Sequence, residues 1–135
     1  MKKIDRRSAL TIGLAAASAA VVRPAASQTT DYTDTSPYPG VVQRAYAAQN
    51  PSVIPGFKTV SMRDVIMQPG SKTGTMPMPN DMICHMLEGE LRHDKDGKPF
   101  VTKKNVAWTC NKGSFEQSFN DTNAVVIMRI TDLKA

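Results

Sequence analysis

The sequence predicts a single small all-β domain of the sandwich or barrel class, preceded by an irregular N-terminal arm. Three observations carry that prediction. From Phe57 onward, apolar and polar residues alternate in short runs, the period of half-buried strands. Turn signals at Gly70, Gly74, Gly97, Gly113 and Asp121-Thr122-Asn123 separate those runs at short intervals. No segment of helical period lies between them, and many short strands with close turns are what sandwiches and barrels are built from.

Ahead of the domain, the chain opens as an export signal. Lys2 and Lys3 precede a twin arginine, Arg6-Arg7, and then an apolar run from Ala9 to Val22 that is rich in Ala and Gly. Fourteen residues are too few to cross a bilayer, which needs about 20. The run therefore reads as a secretory core, the arginine pair points to the twin-arginine route, and the small residues near Ala25, Ala26 and Ser27 mark a cleavage site close to Ala26–Gln28. The expected location is periplasmic or otherwise exported from a bacterium, with no stable membrane anchor after cleavage. Residues 1–28 also hold five of the basic side chains and one acid, so the rest of the chain carries only +1 of the net charge of +5. A nucleic-acid partner has no electrostatic warrant.

Residues 29–55 form the arm, and 56–135 the barrel domain. The arm is polar and broken by Pro37, Pro39, Pro51 and Pro55, and Val41 to Gln49 within it is predicted to form two turns of helix ended by Asn50-Pro51. Packing on a sheet edge or on a second subunit is its expected role, since edges need cover. The predicted strands then run Phe57–Val65, Thr75–Met78, Met82–Leu87, Glu90–His93, Pro99–Thr102, Val106–Cys110, Ser114–Phe119 and Ala124–Thr131. Asp96-Gly97 is a strong hairpin signal between two of them.

Five of the eight methionines fall between Met67 and Met86. As a strand, Thr75–Met78 would put Met76 and Met78 on one face, and Met82, Cys84 and Met86 likewise share a face opposite Ile83, His85 and Leu87. His85 is thereby expected on the outer sheet face, under the arm or at a dimer contact, and His93, beside the Asp94–Gly97 turn, is expected to be solvated.

The spacing from Gly70 to Gly89 resembles the first motif of the cupin superfamily. In that motif a glycine is followed after five residues by His-x-His, then by Glu and a closing Gly; Gly70, Met76, Met78, Met82 and Gly89 occupy those places. Asn111-Lys112-Gly113, followed by Glu116 and Asn120, is similar to the second motif. The resemblance covers roughly residues 57–132. It implies a single-domain, RmlC-like jelly roll, the double-stranded β-helix, with Met76, Met78, Met82 and Glu116 where the family usually holds its metal.

What the resemblance implies for chemistry follows from those replacements. Thioethers are poor ligands for the divalent ions of ordinary cupin sites but suit Cu(I), so a conventional cupin dioxygenase or metal-dependent isomerase is not expected. Three readings stand. Met76, Met78, Met82 and Met86 fill the barrel as adaptable core residues, leaving a purely structural barrel, single or paired as a homodimer. Alternatively they line a soft pocket for a small molecule, with Trp108, Phe115 and Phe119 near and Glu116 as the polar handle. In the third, Met76, Met78 and Met82 hold Cu(I), with Glu116 or Cys84 contributing; outside that case no cofactor is implied. On the same template Glu116 faces an apolar cavity, where its pKa should rise, and it is the one candidate acid or base for a metal-free, epimerase-like isomerisation. With no nucleophile or second titrating group beside it, no enzyme class is assigned. The jelly-roll order also makes the strands of Cys84 and Cys110 neighbours, which permits a disulfide, while folding before twin-arginine export favours reduced thiols.

Overall fold

The structure, a computed structural model, describes residues 31–48 and 51–135; the export signal, its cleavage site and residues 49 and 50 lie outside the described residues. Nine strands form two antiparallel sheets and, among the described residues, there is no helix. In chain order they are β1 (Tyr32–Tyr38), β2 (Val41–Tyr46), β3 (Thr59–Met67), β4 (Asp81–Glu88), β5 (Glu90–Lys95), β6 (Lys98–Lys103), β7 (Ala107–Cys110), β8 (Glu116–Phe119) and β9 (Val126–Lys134). The larger sheet runs β1-β2-β3-β9-β4-β7 and the smaller β6-β5-β8. This is a jelly-roll barrel, as the sequence predicts.

Period-2 burial builds the core. Along β9, Val126, Met128, Ile130 and Asp132 point inward, and along β4, Met82, Cys84 and Met86 do the same. Burying the valine, isoleucine and methionine side chains among them contributes on the order of 1.5–3 kcal/mol each. β3 and β9 pair over their full length, from Thr59↔Lys134 to Met67↔Val126, and β9 pairs β4 on its other side, so β9 is the central strand of the barrel wall.

Two expectations change. Within the predicted helix Val41–Gln49, the described residues 41–48 are not helical; residues 41–46 are β2, paired with β3 from Val41↔Met67 to Ala45↔Arg63. Helix propensity is a weak preference that a waiting sheet edge overrides, and local contacts reinforce the strand. Arg44 makes two hydrogen bonds to Asp34 on β1, and its guanidinium lies 4.0 Å from the centre of the Tyr32 ring. Within the arm, β1 and β2 thus extend the larger sheet, with a register shift between Thr35 and Tyr38. The second change is Thr75–Met78, which forms no strand: an isolated bridge joins Pro77 to Phe115, and Met78 N–H donates to Ser114 O while Gly113 N–H donates to Met78 O. Pro77 and Pro79 flank Met78 and have no N–H to give to a ladder.

Two glycines set the turns that aim β5. Asp96 and Gly97 both have positive φ, 50° and 76°, the two-residue hairpin loop that the Asp-Gly pair predicted. Gly89, at φ 82°, joins β4 to β5, and a Cβ placed there would lie 2.8 Å from Val126 Cγ2. Gly97 has nothing within 4 Å of its own Cβ position. Gly97→Ala should therefore cost only left-handed strain, about 1–2 kcal/mol, whereas Gly89→Ala adds overpacking of about 1–3 kcal/mol. Urea denaturation of the two variants measures the difference, and equal midpoints would contradict the packing assigned to Gly89.

Candidate functional site

Between the sheets lies a cavity of about 440 Å³, within the size range of small-molecule sites. Its floor is sulfur-rich because β4, β7 and β9 present sulfur-bearing residues at inward positions. Met82 and Cys84 from β4, Cys110 from β7 and Met128 from β9 line it, and Met78 reaches it from the loop. Met76 stands at the mouth and is 70% exposed. Of the predicted residues, Met76, Met78, Met82 and Glu116 thus border one cavity, joined by Met128, which lies outside the motif positions. Met86, Trp108 and Phe115 do not line it. Met86 is packed wholly in the core, Trp108 lies against the His93 ring, and Phe115 precedes β8 on the opposite alternation from Glu116 and Ser118, so it is 49% exposed. Phe119 alternates outward likewise, beneath the Arg92 guanidinium.

Glu116 is buried and engaged on both oxygens. Trp108 Nε1 donates to Oε1 at 3.4 Å, Cys110 Sγ donates to Oε2 at 2.9 Å, and His93 Nδ1 lies 3.3 Å from Oε1. Burial is the largest single influence on this carboxyl and pushes its pKa up. The contacts from His93, Cys110 and Trp108 together outweigh burial, so the net shift is downward from 4.5. The rise expected for a carboxylate facing an apolar cavity is therefore corrected: the facing surface brings donors to it.

His93 is corrected in the same way. Rather than solvated, it is fully buried, its Nδ1 2.9 Å from Ser118 Oγ and its Nε2 2.7 Å from Thr102 Oγ1, with the Phe100 ring stacked at 4.7 Å. Leu91 and His93 are both inward on β5, and that Leu-x-His alternation was the signal for it in the sequence. His85 is half-buried on the outer alternation of β4, away from Met82 and Met86.

Cys84 and Cys110 are free thiols on adjacent strands, so the disulfide is absent. Hydrogen bonding with the adjoining Cys110 thiol, burial and the nearby Glu116 carboxylate hold the Cys84 thiol far above the ordinary thiol range. Cys84 is therefore a neutral thiol.

A second polar group on the cavity wall has no counterpart in the sequence reading. Asp132 accepts from Arg63 Nε at 2.8 Å and from Asn80 Nδ2 at 2.8 Å. It continues the inward series of β9, which is how it reaches the cavity. The arm contributes as well: Tyr38 and Gln43 line the cavity, and Tyr38 packs so closely on Gly74 that a Cβ there would lie 2.5 Å from the Tyr38 hydroxyl oxygen. Among the described residues, no three His, Cys, Asp or Glu side chains are grouped to hold a metal ion. A hard-ion centre of the usual cupin kind has no donor set here.

A sulfur-lined barrel of the cupin fold is what these elements define. Solved structures bear out the fold. The cupin domain of Cnp3 from Schizosaccharomyces pombe is similar at a TM-score of 0.63 and 16% identity, over 76% of this chain and 69% of that one. An RmlC-like cupin from Shewanella frigidimarina gives 0.62 at 12% identity over 77% and 85%, and KdgF from a Halomonas species gives 0.60 at 10% identity over 76% and 87%. At such identities the likeness concerns the fold alone. No protein-family model and no curated protein matches the sequence.

The Glu116 contacts give a pH dependence. Because the folded pKa lies below 4.5, ionised Glu116 contributes stability that is fully present above that value and is lost as the pH falls through the lower folded value. Glu116→Gln should cost about 1.5–3 kcal/mol at pH 7, the worth of a hydrogen bond to a charged group, and the deficit should shrink in acid below the folded pKa. Urea midpoints of both proteins from pH 7 down to pH 3 measure it.

Proposed function

We propose that the chain is an exported cupin-fold binding protein whose barrel cavity takes a small, largely apolar ligand. One observation carries this reading: the interior is not packed shut. Met78, Met82, Cys84, Cys110 and Met128 surround about 440 Å³ of space, where residues serving only as core filler would close it. Thioethers suit such a role because they are polarisable and adapt to irregular shapes. The ligand's polar end meets Asp132 with its Arg63 and Asn80 partners, or the cavity side of Glu116. A neutral or cationic end is favoured, since both carboxylates stand at the wall and Arg63 is already paired. The twin-arginine signal supports a periplasmic location.

Metal-free acid–base catalysis at Glu116 is less well supported. Its carboxylate is held ionised by its partners with a lowered pKa, and a general base near pH 7 needs a pKa near 7.

Ligand-observed NMR with a panel of neutral and cationic aromatic compounds tests the reading. Binding should be seen with the wild type and should fall about tenfold or more in Met78→Trp, which fills the cavity from the loop without touching a strand. Circular dichroism should show the same β spectrum in both. Equal binding by both proteins, or none by the wild type, would count against a cavity ligand.

A further inference from the structure

The chain holds two thiols, and the fold places both on the cavity floor, each 2% exposed. Cys84 and Cys110 are on neighbouring antiparallel strands but are not opposite each other. Cys110 faces Met82, and Cys84 faces Trp108. The cysteines are therefore a diagonal pair, a position that separates Cα atoms by about 7–8 Å. A disulfide ordinarily needs about 4.4–6.8 Å, so the register that brings the thiols together also opposes bridging them. Two metal–sulfur bonds of about 2.3 Å each span a wider gap than one S–S bond of about 2.05 Å. Met82 completes a triangle: it stands directly opposite Cys110 and two residues before Cys84 on the same inward face.

We propose that Cys84, Cys110 and Met82 form a three-sulfur site for Cu(I). The donors choose the ion. Thiolate with thioether selects Cu(I), whereas zinc sites are completed by imidazole, carboxylate or further thiolates, and among the described residues no three such side chains are grouped for a metal. Met76 is not a donor, because it stands exposed at the mouth, and Met78 sits on the loop rather than on the β4–β7 face. Binding forms two copper–thiolate bonds and one copper–thioether bond. Two thiol protons leave for solvent, that of Cys110 along its hydrogen bond to Glu116. Copper enters and remains as Cu(I), so no electron is transferred. The site occupies the same cavity as the small-molecule reading but does not depend on it.

Anaerobic titration of the full chain with Cu(I), in competition with the chelator bicinchoninate, tests the site. One equivalent should be retained, with a thiolate-to-copper charge-transfer band in the ultraviolet. Outer-shell changes at metal sites cost about 10–100-fold in affinity; Cys84→Ser and Cys110→Ser should each cost more than about a hundredfold, and Met82→Leu about tenfold. Met86→Leu, in the core and away from the cavity, should leave affinity unchanged. Copper X-ray absorption of the wild-type complex, which needs no variant to fold, should show three sulfur neighbours. A nitrogen or oxygen shell, no retained copper, serine variants of wild-type affinity, or Zn(II) held as tightly as Cu(I) would each overturn the proposal. Such a failure would leave the organic-ligand binding, measured without copper, standing or falling by itself.

Discussion

A buried carboxylate ties the two sheets together. Glu116 belongs to β8 of the smaller sheet, yet it takes hydrogen bonds from Trp108 and Cys110 on β7 of the larger one, while His93 from β5 approaches the same oxygen from its own sheet. Placing a charge in an apolar interior is costly unless it is paired and hydrogen-bonded. Every buried side-chain polar atom among the described residues has a partner, so the cost is met and the arrangement becomes a geometric constraint. It fixes where β7 lies against β8, and with it the position of the Cys110 thiol. It also orders His93 between Ser118 and Thr102, with Phe100 and Trp108 closing around the ring.

That constraint divides the barrel interior into unlike ends. At one, the rings of His93, Phe100 and Trp108 pack together behind Glu116. Past the Cys110 side of Glu116 the sulfur floor begins and the cavity opens toward Met76, with the Arg63–Asp132–Asn80 cluster on its wall. Glu116 is thus a structural tie, and the soft side chains beside it are free to meet something else. The N-terminal strands share in this, since Tyr38 of β1 packs on Gly74 at the cavity and Gln43 of β2 lines it.

Much of this was legible in the sequence, for a physical reason. Strands β3 to β9 announce themselves by alternation, because a side-chain period of two is imposed wherever one face is buried, and Asp96-Gly97 announces its hairpin by the positive φ both residues adopt. The motif spacing from Gly70 to Gly89 correctly implied the barrel. Less visible was what depends on partners distant in the chain. The residues from Val41 look helical by composition, but the edge of β3 decides their state. Met76 and Met78 fit a ligand spacing, while the prolines beside Met78 keep that segment out of the ladder. Glu116 looked like a lone carboxylate because its donors, His93, Trp108 and Cys110, are brought to it by strand pairing. Asp132 was overlooked although it continues the apolar inward series of β9, since a charged residue in such a series reads as a strand end until Arg63 and Asn80 are seen against it.

The central claim is that Glu116 is an ionised tie between the sheets and not a poised acid. Its side-chain carboxyl carbon, observed by 13C NMR across a pH titration of the folded protein, tests this most directly. The account predicts a midpoint below the 4.5 of an ordinary glutamate while the fold persists. A midpoint above 4.5 in a protein that stays folded would contradict it, because burial would then outweigh the hydrogen bonds and the carboxyl would be available for proton transfer.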